Sequence, residues 1–133
     1  MPIKLYDSKV SPYARKVRLL AAELEIPIEK ISLDFQKGDP QKPEYLALNP
    51  NGVVPTLVDD GFVLWESNVI VRYLATKYST GTLCPIDLQR RADAERWMDW
   101  QQTTLGPPMG ILFRGLLKTP PDAIEPAIAR LSR

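Results

Sequence analysis

The stretch Ile3-Lys4-Leu5-Tyr6-Asp7-Ser8-Lys9-Val10-Ser11-Pro12-Tyr13-Ala14-Arg15 holds the change of period on which the fold turns. Ile3-Lys4-Leu5-Tyr6 alternates as a short strand does, and Ser11-Pro12 then opens a helix with a hydroxyl cap and a proline in the first turn, where a missing N–H costs nothing. Val17, Leu20, Ala21 and Leu24 recur at helical spacing and mark its core stripe, and Pro27 is expected to stop it. Outward from there, Ile31, Leu33 and Phe35 share one face of a second strand running from Ile28 to Phe35. Strand, helix and strand within this length imply a parallel crossover. Residues 36–53 are rich in Pro, Asn, Lys and Gly and read as a shaped loop, with one short helical chance from Pro43 to Leu48. Asp60-Gly61 between Thr56-Leu57-Val58-Asp59 and Phe62-Val63-Leu64 predicts a tight antiparallel hairpin. Val69, Ile70, Tyr73, Leu74 and Tyr78 mark a third amphipathic helix beginning near Glu66-Ser67.

Beyond Tyr78, residues 79–87 are turn-rich and read as a linker. A helical stretch from Leu88 to Leu105 follows, which Gly106-Pro107-Pro108 should break or bend. Another helical pattern runs through Leu117, and Asp122 could cap a last one holding Ile124, Ile128 and Leu131. Two or three helices cannot bury all their apolar faces by themselves. The expected organisation is therefore an α/β domain over residues 1–78 and an incomplete all-α domain over 88–133.

Composition excludes several chemistries. With 17 basic and 16 acidic residues the chain lacks the electrostatic footprint of a nucleic-acid or membrane-surface binder. Its apolar stretches are too short to span a bilayer, and Met1-Pro2 leads into no basic and apolar leader. Cys84 alone forms no internal disulfide, which suits a reducing cytoplasm. The absence of histidine removes Ser-His-Asp and Cys-His hydrolysis and the common His-containing zinc sites, so no metal is expected. What remains is chemistry by hydroxyls, carboxylates, backbone dipoles or a borrowed thiol.

Three motifs converge on that last option. Ser11-Pro12-Tyr13-Ala14-Arg15 lies at the strand-to-helix turn, Val53-Val54-Pro55-Thr56-Leu57 precedes the hairpin, and Glu66-Ser67 opens the third helix. In order and spacing over residues 3–78 they resemble the glutathione-site signature of the soluble glutathione S-transferases, closest to the serine-using bacterial, theta and phi-like classes. Arg91-Ala92 to Trp97-Met98-Asp99-Trp100-Gln101 is similar to the start of that family's helical domain. The resemblance implies a thioredoxin-like βαβ-ββα fold for the first domain. It also implies conjugation of the glutathione thiolate to electrophilic apolar acceptors, as in detoxification, and a homodimer.

Carried onto this chain, the resemblance makes Ser11 the catalytic hydroxyl. Taken alone Ser11 is an ordinary N-cap, and both roles are compatible. Thiols ionise near about 8.5, and lowering one by roughly two units takes about 2.7 kcal/mol. A hydrogen bond to a charged group supplies about 1.5–3 kcal/mol and a helix terminus about 0.3–1, so together they suffice. Ser11-Pro12-Tyr13-Ala14 is also what remains when both cysteines of a glutaredoxin-like Cys-Pro-Tyr-Cys are replaced, which argues against disulfide cycling by the protein itself. Tyr6 is the alternative hydroxyl, because the tyrosine-using classes place theirs at the end of the first strand. Val54-Pro55 resembles the family's cis-proline, with the Val54 backbone pairing the cysteinyl backbone of glutathione. Glu66 would take the γ-glutamyl amine and Ser67, with the helix start, its carboxylate. Lys42 or Gln41 is the candidate for the glycyl carboxylate, although many relatives carry lysine where Val53 stands.

Trp97, Met98 and Trp100 line either an acceptor pocket or a core or dimer contact, and Arg90, Arg91 and Arg96 read as a solvated face. Because the family's helical domain runs further than Leu131-Ser132-Arg133, the acceptor half-site is expected to be open, with an oligomer and, unless the chain is a fragment of a longer protein, poor turnover as consequences. A non-catalytic interaction module, or another glutathione-dependent activity such as dehalogenation, peroxide reduction or isomerisation, is the alternative reading.

Overall fold

The computed structural model describes residues 2–118 together with Pro120 and Asp122. The elements run β1 (Ile3–Asp7), α1 (Pro12–Glu23), β2 (Ile28–Ser32), a 3-10 turn (Asp39–Gln41), α2 (Pro43–Leu46), β3 (Thr56–Asp59), β4 (Phe62–Trp65) and α3 (Ser67–Tyr78). Two further helices follow, α4 (Leu88–Trp100) and α5 (Gly106–Lys118). The chain divides into two compact units between Ile86 and Asp87.

In the first unit the sheet order is β2-β1-β3-β4, with β1 parallel to β2 and antiparallel to β3. The crossover through α1 enforces the parallel pair. Asp60 and Gly61, at φ 48° and 83°, supply the two left-handed residues that a two-residue hairpin with native twist requires between β3 and β4. β1 buries Ile3, Leu5 and Asp7 on one face, and Leu5 meets Val17, Ala21, Leu57, Ile70 and Leu74 in the core. α1 and α3 pack on one another, so the two helices that open near the motifs share a layer. This is the thioredoxin-like arrangement of a mixed sheet with helices.

Two local expectations change. α1 ends at Glu23, before Pro27, because Glu25 adopts φ 51° and closes a Schellman motif, Ile26 N–H to Ala21 C=O at 2.9 Å and Glu25 N–H to Ala22 C=O at 3.2 Å. β2 stops at Ser32 rather than Phe35, because the Asp34 carboxylate accepts from the Gln36 N–H at 2.9 Å and turns the chain, leaving Phe35 exposed. Ser79 and Cys84, in the turn-rich segment after α3, are buried in the first unit; Cys84 Sγ lies 3.3 Å from Thr76 Oγ1.

In the second unit the helical path runs on through Gly106-Pro107-Pro108. A π-helical segment, Gln101–Leu105, joins α4 to α5, and Gly106 keeps helical angles at φ −58° and ψ −49°. The wider turn suits two prolines that bring no N–H to the ladder, and position 106 is closely packed, since a Cβ there would lie 3.0 Å from the Gln101 carbonyl. The helix expected beyond Asp122, with Ile124, Ile128 and Leu131, lies outside the described residues. Among the described residues no helix is long and apolar enough to cross a membrane.

Candidate active site

Hydrogen-bond register places the motifs side by side. Tyr6 on β1 pairs with Ile31 on β2 and with Thr56 on β3, and Thr56 pairs with Trp65 on β4. These four residues form one row across the sheet. Pro55 comes immediately before the row, Glu66 immediately after it, and the β1–α1 turn carrying Ser11 leaves from the same end of the sheet.

Ser11 is the N-cap of α1, with extended φ −75° and ψ 118°, and its Oγ accepts from the Ala14 N–H at 3.1 Å. A hydroxyl has one proton and two lone pairs, so this bond engages a lone pair and leaves the O–H to donate. Tyr6, the alternative hydroxyl, is half-buried in β1 with its ring 5.4 Å from that of Tyr45.

Val54–Pro55 is a cis peptide bond, and both residues are buried. Among the described residues the Val54 N–H and C=O find no partner. A buried polar cluster braces the turn before them. Tyr45 Oη donates to the Val53 carbonyl at 2.6 Å and lies 2.7 Å from Thr56 Oγ1. Asn49 Nδ2 donates to the Val53 carbonyl and to Thr56 Oγ1, both at 3.0 Å, while its Oδ1 accepts from the Asn51 N–H at 3.0 Å. Burial raises the Tyr45 pKa, so its phenol stays protonated and donating. Gly52, at φ 62°, passes so close to Gln41 that a Cβ would lie 2.6 Å from Gln41 Nε2.

Glu66 sits at the N-cap of α3 with φ 76° and ψ 109°, a region that costs a residue with a Cβ about 1–3 kcal/mol. It persists because the Trp65–Thr56 pairing on one side and the Ile70 N–H bond to the Glu66 carbonyl, 2.9 Å, on the other leave no alternative path. Its carboxylate does not cap the helix, and the residue is exposed. Ser67, the first residue of α3, is buried. Lys42 and Gln41 are exposed and already engaged: Lys42 Nζ pairs with Asp39 Oδ1 at 2.6 Å, and Gln41 Nε2 donates to the Gly52 carbonyl at 3.3 Å.

Sequence reasoning missed the residues that hold these pieces. Lys16 Nζ donates to Asn68 Oδ1 at 2.6 Å and ties α1 to α3; burial pushes its pKa down, the Glu66 carboxylate opposes this and Arg72 adds to it. Arg18 clamps Asp7 through both carboxylate oxygens, at 2.8 and 2.7 Å. Polar residues at core-facing positions, such as Asp7 on an alternating strand, were the available signal. Trp97 and Trp100 stack edge-on at 5.8 Å in α4, and both are exposed.

The chain is similar to proteins of one family. The family profile "Glutathione S-transferase, N-terminal domain" matches residues 10–77. Glutathione S-transferase GstB of Escherichia coli K12 is 42% identical over 94% of this chain and 61% of its own length. Glutathione S-transferase hmp2 of Hypomyces subiculosus is 52% identical over 62% of this chain and 38% of its own. Among solved structures, the theta class glutathione S-transferase of the citrus canker pathogen Xanthomonas axonopodis pv. citri, with glutathione bound, superposes with a TM-score of 0.84 at 43% identity, covering 90% of this chain and 58% of that one. Poplar glutathione transferase F1 gives 0.83 at 32% identity, covering 90% and 57%. The chain therefore spans about three fifths of the curated bacterial relative it matches, 61%. With the family's domain profile lying over the row of motifs, the chain belongs to the glutathione S-transferase family.

Proposed function

We propose that this chain is a glutathione S-transferase in which residues 1–78 bind glutathione and Ser11 holds its sulfur as a thiolate, residues 79–87 serving as linker and 88–133 as part of the helical domain. The observation that carries the reading is the Ser11 hydroxyl, its lone pair committed to the Ala14 N–H and its proton left to donate beside the positive end of α1. The Val54 N–H and C=O pair with the cysteinyl backbone as a short added strand. Glu66 takes the γ-glutamyl amine, and Ser67 with the first turn of α3 takes its carboxylate. The glycyl carboxylate falls to Gln41 or Lys42, and binding at Lys42 requires exchange of its Asp39 partner. The thiolate then attacks an electrophilic carbon of an apolar acceptor, with catalysis from sulfur ionisation and from orientation. A homodimer in the cytoplasm, with no metal, completes the proposal.

The test is Ser11→Ala with thiolate absorbance of bound glutathione followed against pH. The expected result is a glutathione Kd within about twofold of the parent at a pH where the bound thiol is protonated, and a bound-thiol pKa raised by at least about one unit, since a charge-assisted bond supplies about 1.5–3 kcal/mol. An unchanged titration moves the role to Tyr6 or to backbone groups.

A further inference from the structure

Ser11 Oγ points where its backbone directs it, and that backbone is held by the Arg15 N–H on the helix side and by one acceptor on the turn side. The Ser11 N–H donates to the Ser8 carbonyl at 3.0 Å. The same carbonyl accepts from Arg18 Nη1 at 3.2 Å. Nη1 also holds both Asp7 oxygens, and the Asp7 carbonyl accepts from the Leu33 N–H at 2.8 Å. Asp7 and Ser8 are both buried, with 5% and 7% of their surface exposed, so the Asp7 carboxylate out of water depends on this one guanidinium, and the Ser8 carbonyl takes it as a second donor beside the Ser11 N–H. Arg18 itself lies two helical turns along α1 from Ser11, on the helix that Ser11 caps. The guanidinium, the β1 terminus, the Ser8 carbonyl and the Ser11 cap therefore close a loop: α1 reaches back from its interior to fix the turn that precedes it.

On the reading of Ser11 as the thiolate's donor, we infer that Arg18 is a positioning residue for glutathione ionisation, setting the Ser11 hydroxyl through the Ser8 carbonyl while cancelling the charge of Asp7 at the strand end from which the Ser11 turn leaves. Two effects follow from its removal. The Ser8 carbonyl loses one of its two donors and the Ser11 turn gains freedom, and Asp7, which ends the strand before that turn, is left as an uncompensated anion that opposes a further negative charge at the turn. Both raise the pKa of the bound thiol. Neither touches Glu66, Ser67 or Val54, so affinity for the peptide as a whole is spared.

The experiment uses the full chain with glutathione alone and reads two quantities, Kd by calorimetry and bound-thiol pKa by thiolate absorbance. In Arg18→Met the bound-thiol pKa is expected to rise by about one unit, a tenfold change in the ionisation constant, with Kd, read at a pH low enough that the bound thiol is protonated, within about twofold of the parent. Arg18→Lys, which keeps a cation able to reach both oxygen groups, is expected to recover at least half of that shift. Because Arg18→Met alone strands a buried carboxylate and endangers the fold, Asp7→Asn/Arg18→Met supplies a neutral pair; it is expected to fold and to keep part of the rise, since the Ser8 carbonyl still lacks its second donor. Equal thiol titrations in parent, single and double variants that all bind glutathione overturn the inference and leave the role of Ser11 standing. A double variant that returns fully to the parent pKa overturns the route through Ser8. A parent that does not depress the thiol pKa at all overturns the reading of Ser11 and this inference with it.

Discussion

The first unit buries the side chains it needs, and the described part of the second buries none. α3 alone contributes Ile70 and Leu74 to the core without exposure, while neither α4 nor α5 has a single buried residue. Trp97, Ile111 and Leu117 are each more than 60% exposed, at 61%, 63% and 61%. Both units contain well-formed helices, so helix formation is not what separates them. The difference is the sheet, which gives α1 and α3 an apolar face to cover and so converts amphipathic periodicity into burial. Only a unit with such a core can hold a residue like Glu66 in a costly conformation.

The sharpest way to break this comparison is to truncate one apolar side chain in each unit. Leu57→Ala is expected to lower the unfolding free energy by about 2–5 kcal/mol, and Ile111→Ala to change it by no more than about 0.5, as read by urea denaturation of the full chain. Comparable losses from the two would mean that α5 is buried in an assembly, and a dependence of the Ile111→Ala effect on protein concentration would identify it.

A smaller effect tests the polar brace of the first unit. Tyr45→Phe removes the hydroxyl that donates to the Val53 carbonyl and accepts from Thr56 Oγ1, while Asn49 Nδ2 still donates to both, so the expected loss is about 1–2 kcal/mol. Loosening the turn before Val54 is also expected to weaken glutathione binding. Stability falling with unchanged affinity would separate the brace from the site.

Glu66→Gly sets stability against binding. Removing the Cβ from φ 76° is expected to raise the unfolding free energy by about 1 kcal/mol, while loss of the carboxylate weakens glutathione by about 1.5–3 kcal/mol. A variant that loses stability would show that the Glu66 side chain contributes more to the fold than its backbone costs.

The smallest effect is in pH dependence. Asp59 accepts from Lys77 Nζ and from Tyr73 Oη, the latter at 2.7 Å, joining the hairpin to α3. The Lys77 bond, then the Tyr73 bond, hold the Asp59 carboxyl below its usual pKa, and the Asp59 bond raises that of Lys77. The depressed carboxylate contributes stability present above its unfolded pKa and lost as pH falls through the folded one. The raised ammonium contributes stability present below its unfolded pKa and lost as pH rises through the folded one. A plateau between about pH 4 and 10 is expected, with Lys77→Met shrinking both shoulders. Arg96→Met, which removes the exposed pair with Asp93 in α4, is expected to leave the profile unchanged. Urea midpoints across pH read both.

Much of the fold was legible because it is local. The change of period at Ser11-Pro12, the Asp60-Gly61 hairpin and the apolar stripe of α3 each follow from residues within one or two turns of one another. The places where reading failed are also local, but depend on which of two signals acts first. Glu25 in a Schellman motif ends α1 before Pro27 is reached, and the Asp34 turn ends β2 before Phe35. The two prolines after Gly106 break nothing, because a π segment ahead of them absorbs their missing donors.

By itself the sequence determined the elements, their order and the residue types offered at each turn: a hydroxyl at the start of α1, a proline before β3, a carboxylate before α3. The tertiary structure alone decided that these meet, because the register Ile31–Tyr6–Thr56–Trp65 aligns strand ends that are far apart in the chain, and a slip of one residue would send every side chain of a strand to the other face. It alone also assigned Arg18 to Asp7, Lys16 to Asn68 and Tyr45 to Thr56, pairings that no periodicity encodes. A buried polar group must find a partner, but the partner is whichever group packing brings within reach, and packing is settled by the whole core at once.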